Sequence, residues 1–331
     1  MEISPEKELR KITVRIGAAF IVNIILLFAL MSIPSELSYA LADEVTGELT
    51  DGKYAAVSVV ESALYMLCFM LPVLFFRLIT PKNLREPMRL SPAGGFDSLL
   101  LVFAGVGMVF SAATLNSFFF SFVDFSVLYD EGETSTPVGL VCSFMATALV
   151  PAVCEEFLYR GCFLSNLLPY GRTTAIIGSA LLFALMHGNL QQYLYTFCAG
   201  LVLGLAYTES GSIIPPLCIH LVNNFASVAE EEIYYSYGGE SALLVFEIVV
   251  FLGGLGALAW YVFRCGGRLG REGAAGIDGS RSRRYALPSR RREIPPTANR
   301  VKLFFSPTVI IGAALSLTEA IAIIAMALIY Q

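Results

Sequence analysis

A chain of 331 residues that is 56% hydrophobic and only 15% charged, with a mean hydropathy of +0.68, is too apolar for a soluble domain. Such domains hold about 45–50% apolar and about 25% charged residues. This excludes the two-domain cytosolic enzyme that the length alone would suggest. The formal charge is −5 but unevenly spread: residues 264–302 hold 11 of the 22 basic residues against three acids. No folded motif presents that stretch to a nucleic acid, so no nucleic-acid partner is expected.

A bilayer core takes roughly 20 apolar residues of helix. In chain order, the apolar runs near that length are 16–33, 55–76, 98–122, 137–154, 173–188, 191–208, 213–229, 241–263 and 305–330. The first follows Lys7, Arg10, Lys11 and Arg15 and precedes Ala40-Leu41-Ala42, a pattern similar to a secretory signal. Its 18-residue run exceeds the usual signal core of about 7–15 residues, so an uncleaved anchor is expected. Basic segments at 7–15, 77–89, 160–172 and 264–302 alternate with acidic ones at 36–51, 124–133 and 230–240. Nine spans with a cytoplasmic N-terminus put every basic segment inside and every acidic one outside.

The expectation is therefore an all-α, multi-pass protein of the cell membrane, a bundle of about 8–9 transmembrane helices. Three N-terminal helices fill 1–136, a core fills 137–229, and a further transmembrane helix lies in 230–263. A basic cytoplasmic loop follows at 264–304, then a C-terminal helix at 305–331. The loop is Gly-, Ser- and Arg-rich without an apolar period and reads as disordered. It serves first as a topology signal, and contact with anionic membrane lipids is the second reading. The seven cysteines form no C-x-x-C pair, which argues against a disulfide framework or a cysteine zinc site.

An ionisable side chain inside a membrane span is costly and marks a functional candidate. The core holds a cluster of them. In Glu155-Glu156-Phe157-Leu158-Tyr159-Arg160, Glu156 and Arg160 stand i, i+4 with the acid first, the favourable order for a pair. Glu155 sits about 100° round the helix and cannot share that geometry, so one carboxylate is left for acid–base work. Further on come Phe183…His187 and His220…Asn224, and these are the only two histidines of the chain. With Pro169-Tyr170-Gly171-Arg172 as the tip of a helical hairpin, Glu155 and His187 each lie 16 residues from Gly171, at matching depth. Agreement with the depth of His220 requires 160–170 to lie along the interface or project beyond it. One carboxylate, two imidazoles and an amide would then share an intramembrane cavity open to the cytoplasm.

A carboxylate can take a proton from water, a histidine can assist, and His and Asn donors can hold an oxyanion. That set hydrolyses an amide. Glu155, His187 and His220 are also the residue types that would hold a zinc ion with an open position. H-E-x-x-H, G-x-S-x-G and the complete P-loop G-x-x-x-x-G-K-[ST] are all absent from the sequence.

At these residues the sequence resembles the CPBP family of intramembrane proteases, the CAAX proteases and bacteriocin-processing enzymes of the Rce1/ABI group. The family's motifs E-E-x-x-x-R, F-x-x-x-H and H-x-x-x-N occur in order as Glu155-Glu156…Arg160, Phe183…His187 and His220…Asn224. The resemblance spans about residues 137–229, and the basic loop with a ninth span departs from the common eight-span core. It implies a membrane endopeptidase that cleaves near the C-terminus of a peptide or lipidated protein. Glu155 would activate water with His187, His220 and Asn224 would form the oxyanion site, and Glu156 and Arg160 would support them. Family members have been described as both metal- and glutamate-dependent, so Zn2+ stays open as a cofactor.

Two other readings compete. One is a non-catalytic immunity or peptide-binding membrane protein using the same cavity. The other is a proton-coupled transporter, for which Glu61, Glu247, Glu319 and the helix-interrupting pair Pro215-Pro216 are the argument.

Overall fold

The computed structural model describes residues 4–43, 49–91, 95–120, 136–236, 239–274 and 296–329, and every regular element among them is helical. In order these are α1 (Pro5–Leu30), α2 (Ile33–Leu41), α3 (Asp51–Ile79), α4 (Phe96–Phe120), α5 (Pro137–Tyr170) and α6 (Arg172–Leu185). Then come α7 (Leu190–Ser210), α8 (Ile214–Ser236), α9 (Gly239–Ala274), α10 (Thr297–Phe304) and α11 (Pro307–Ile329). Among the described residues, each of the nine apolar runs lies mostly on helix.

Among the described residues, five helical stretches are long and apolar enough to cross a membrane, or six when α10 and α11, bent by 57°, count as one. By helix length and composition the chain is a multi-pass membrane protein. The shortfall from 8–9 has a physical cause. α6 has only 14 residues. α7 and α8 carry Gln191, Gln192, His220, Asn223 and Asn224, and this polarity keeps them below the apolar threshold. The long helices present bare apolar faces instead: Phe28, Leu78 and Phe263 are 72%, 73% and 87% exposed. Such surface is stable only against lipid or a partner.

Two further expectations change. Pro215 and Pro216 do not interrupt a helix; they sit in the first turn of α8, where no intrahelical N–H is required. The loop expected over 264–302 is shortened at both ends, because α9 continues to Ala274 and α10 begins at Thr297. Residues 275–295 lie outside the described part. The segment 160–170 continues α5 within the protein. Arg160–Leu167 is buried throughout, with Ser165 Oγ donating to Gly161 O at 2.7 Å and Asn166 Nδ2 donating to Cys162 O at 2.7 Å.

α5 is wound unevenly, and its sequence accounts for this. Pro151 lacks the N–H that would bond back one turn, and the preceding segment Phe144–Leu149 widens into a π-helix. A second widened segment, Phe157–Leu164, ends where Ser165 bonds back onto the helix carbonyls, a habit that bends helices. Such widened turns occur often at functional sites. Between them lies the regular turn Val150–Glu156, which carries both glutamates.

α5 and α6 form the expected hairpin. Tyr159 and Phe183, each 12 residues from Gly171, meet edge to face with centroids 5.4 Å apart, and Ser179 Oγ donates to Tyr159 O at 2.9 Å. The loop ends then gather at one end of the bundle. Ile213 N donates to Arg89 O at 2.9 Å, and Arg300 Nη1 donates to Tyr170 O at 3.3 Å. Arg172 pairs there with Glu209. α4 and α9 pack along each other with Gly107 facing Gly254, so closely that a Cβ on either would enter the other's backbone.

Candidate active site

Three helices supply the centre. α5 brings Glu155, Glu156 and Arg160, α8 brings His220, and α3 brings Tyr65. Glu155, Glu156, Arg160 and His220 are 3%, 0%, 0% and 6% exposed, so their charges are removed from solvent and must satisfy one another. Arg160 Nη1 donates to Glu156 Oε1 at 2.8 Å, and its Nη2 donates to Gly200 O at 3.3 Å. The guanidinium lies over the Phe183 ring, 4.3 Å from the centroid. This is the i, i+4 pair read from the sequence.

Glu156 Oε1 also lies 3.0 Å from His220 Nδ1. An ionised carboxylate only accepts, so Nδ1 carries the proton and neutral His220 keeps its lone pair on Nε2. That Nε2 faces Glu155 Oε2 at 3.7 Å, too far for a hydrogen bond. Oε2 has no hydrogen-bond partner among the described residues. Its companion Oε1 accepts from the Tyr65 hydroxyl. Two acceptors facing across such a gap call for a proton or a water between them.

His187 lies at the C-terminal end of α6. Its Nδ1 is 2.9 Å from Phe183 O, a carbonyl that only accepts, so its Nε2 lone pair is also left free. Phe183 stands edge to face with both imidazoles, its centroid 5.2 Å from His187 and 5.7 Å from His220. The turn after His187 needs a glycine. Gly188 has φ +59°, and the Glu319 carboxyl of α11 fills the space where a Cβ would go. α11 also holds this turn through Ser316, which donates to Leu185 O and lies 2.9 Å from the Tyr193 hydroxyl.

A cavity of about 40 Å³ opens between α6, α7 and α8, and its polar wall is His187, Tyr195, Thr196, His220, Asn223 and Asn224. A single water needs roughly 10–15 Å³. Asn224 is oriented by a relay in which Tyr195 donates to Asn223 Oδ1 at 2.6 Å and Asn223 Nδ2 donates to Asn224 Oδ1 at 3.2 Å. Glu155 does not line the cavity; His220 is the residue that both lines it and faces Glu155. The structure thus brings Glu155, Glu156, Arg160 and His220 into one array and joins His187 and Asn224 to it through the cavity. As zinc ligands, Glu155, His187 and His220 do not fit this arrangement: among the described residues no three His, Cys, Asp or Glu side chains stand where one ion could be held.

Sequence reasoning missed Tyr65, Tyr195 and the part of Asn223. Tyr65 lies one turn after Glu61 on an otherwise apolar helix, and nothing in its spacing marks it. Asn223 adjoins a motif residue and was legible only as a neighbour.

Residues 137–226 match the family model described as type II CAAX prenyl endopeptidase Rce1-like. No curated protein and no solved structure matches the chain.

Proposed function

With an Rce1-like domain of the CAAX prenyl endopeptidase family over residues 137–226, we propose that this protein is an intramembrane endopeptidase. In this reading it hydrolyses a peptide bond near the C-terminus of a peptide or lipidated protein. The observation that carries it is the buried array Arg160–Glu156–His220–Glu155 beside a water-sized cavity also walled by His187 and Asn224.

Glu155 Oε2 takes a proton as the water oxygen attacks the scissile carbonyl carbon. His187 Nε2 accepts from the same water and orients it. The carbonyl π pair moves to oxygen, and the resulting oxyanion is held by the Asn224 amide and by His220. His220 donates from Nε2 only when it enters the reaction carrying a second proton, taken up from bulk water beforehand and released afterwards, and its Nδ1–H stays on Glu156. Collapse of the tetrahedral centre breaks the C–N bond, and the proton on Glu155 passes to the leaving amine. Arg160 pairs with Glu156 and leaves Glu155 as the carboxylate free to cycle. By the positive-inside rule, the end bearing Arg89, Arg172 and Arg300 faces the cytoplasm.

The test is a fluorogenic peptide library, with and without a C-terminal prenylcysteine, offered to the purified protein in detergent. Glu155→Gln is expected to abolish cleavage without changing the thermal unfolding midpoint. Because the three donors do not gather around one ion position, cleavage is expected to survive dialysis against a chelator. Parental turnover by Glu155→Gln would refute the assignment, and loss on dialysis with recovery on added Zn2+ would refute the metal-free mechanism.

A further inference from the structure

We infer that Tyr65 is a positioning residue of the reaction, its hydroxyl fixing one oxygen of Glu155 so that the other is presented to water. The inference rests on the reading of Glu155 as the base, and it places part of the machinery on α3, outside the segment that matches the family.

The terminal torsion of a glutamate is broad and roughly two-fold, so a carboxylate plane is not fixed by its own bonds. A donor to one oxygen fixes it. Oε1 of Glu155 has such a donor in Tyr65, whereas Oε2 has none among the described residues and faces His220 Nε2 at 3.7 Å. The tyrosine is itself held rigidly. Its ring stacks on Phe69 with centroids 4.7 Å apart at 24°, and Phe69 meets Tyr159 edge-on at 6.4 Å. Tyr159 donates to Asn23 Oδ1 at 2.8 Å, and Asn23 Nδ2 donates to Cys68 O at 2.9 Å. This belt ties α1, α3 and α5 together around the hydroxyl.

The nature of the donor separates the two neighbouring glutamates. Glu156 receives a guanidinium, which neutralises it. Glu155 receives a neutral phenol, which orients the carboxylate without cancelling its charge. One glutamate is thereby committed to structure, and the other keeps its capacity to take and return a proton.

The experiment compares the parent, Tyr65→Phe, Phe69→Leu and Glu155→Gln on the fluorogenic peptide that the parent selects from the library. Tyr65→Phe keeps the ring and its stacking and removes only the hydroxyl. Its kcat is expected to fall about 10- to 100-fold, the scale of a hydrogen bond to a charged group. KM and the thermal midpoint are expected to stay at parental values. Phe69→Leu, which loosens the belt but keeps the hydroxyl, is expected to lower the midpoint and to reduce kcat per folded molecule less than Tyr65→Phe does. Parental kcat in Tyr65→Phe beside an inactive Glu155→Gln overturns this inference and leaves the base assignment standing. An active Glu155→Gln overturns the base assignment and the inference with it. A Tyr65→Phe defect that only tracks lost folded protein, or only raises KM, overturns the inference as well.

Discussion

Removing Arg160 is the most exposing perturbation of the buried array. Its partner Glu156 is 2.8 Å away and both side chains are 0% exposed, so Arg160→Ala strands a carboxylate whose one remaining partner is the His220 Nδ1–H. Breaking a buried pair in this way costs about 3–5 kcal/mol. The guanidinium also donates to Gly200 O and lies on the Phe183 ring, and a desolvated cation–π contact contributes up to about 2 kcal/mol more. Against a stability of about 5–15 kcal/mol typical of folded domains, the variant should sit near the edge of folding. Arg160→Lys keeps the charge, but a single ammonium cannot reach Glu156 and Gly200 O while lying flat on Phe183, so an intermediate loss is expected. The double variant Glu156→Leu with Arg160→Met removes both charges, and its stability should return close to the parent's. Its turnover should not return, because His220 loses the acceptor that sets its tautomer; losing the equivalent acceptor in a serine-protease triad costs about 10⁴ in rate. Helical circular dichroism on heating in detergent reads the stability, and peptide cleavage reads the turnover. A parental midpoint for Arg160→Ala, or a double variant as unstable as the single, would refute the picture of a desolvated ion pair.

Asn224→Ala removes a donor to the developing oxyanion, and kcat should fall about 10²- to 10³-fold with little change in KM, measured on the same peptide. An unchanged kcat would move the oxyanion site elsewhere. Gly107→Val drives a side chain into the Gly254 backbone and should lower the thermal midpoint, with an overpacking cost of about 1–3 kcal/mol. Gly256→Ala on the same helix as Gly254 meets nothing within 4 Å and should leave the midpoint unchanged.

The place of the buried cluster was legible in the sequence because an ionisable residue in an apolar run is too costly to keep without a partner or a use. The Glu156–Arg160 spacing pointed to the ion pair, and equal distances from Gly171 pointed to the register that Tyr159 and Phe183 display. The span count was less legible for the same reason. The helix that carries His220 and Asn224 owes part of its weak hydropathy to those residues, so composition alone passes over a helix at the site. The burial of 160–170 was not legible because Ser165 and Asn166 read as polar surface; the carbonyls they bond belong to their own helix and leave no mark on a pattern. Tyr65 was invisible since its meaning depends on a partner 90 residues away. The Gly107–Gly254 approach is hidden in the same way, as a contact between two helices that neither sequence run announces alone.

The grip of α11 on the turn behind His187 has a consequence for how the molecule comes into being. Ser316 reaches Leu185 O across 131 residues of chain. During synthesis the glutamates and both imidazoles therefore enter the bilayer long before the helix that braces their turn exists. Until that strut arrives and seats against Tyr193, the nascent bundle holds every reactive group but lacks the frame that aims one of them. On the proposed peptidase reading, activity would then be acquired late, as a by-product of completed assembly.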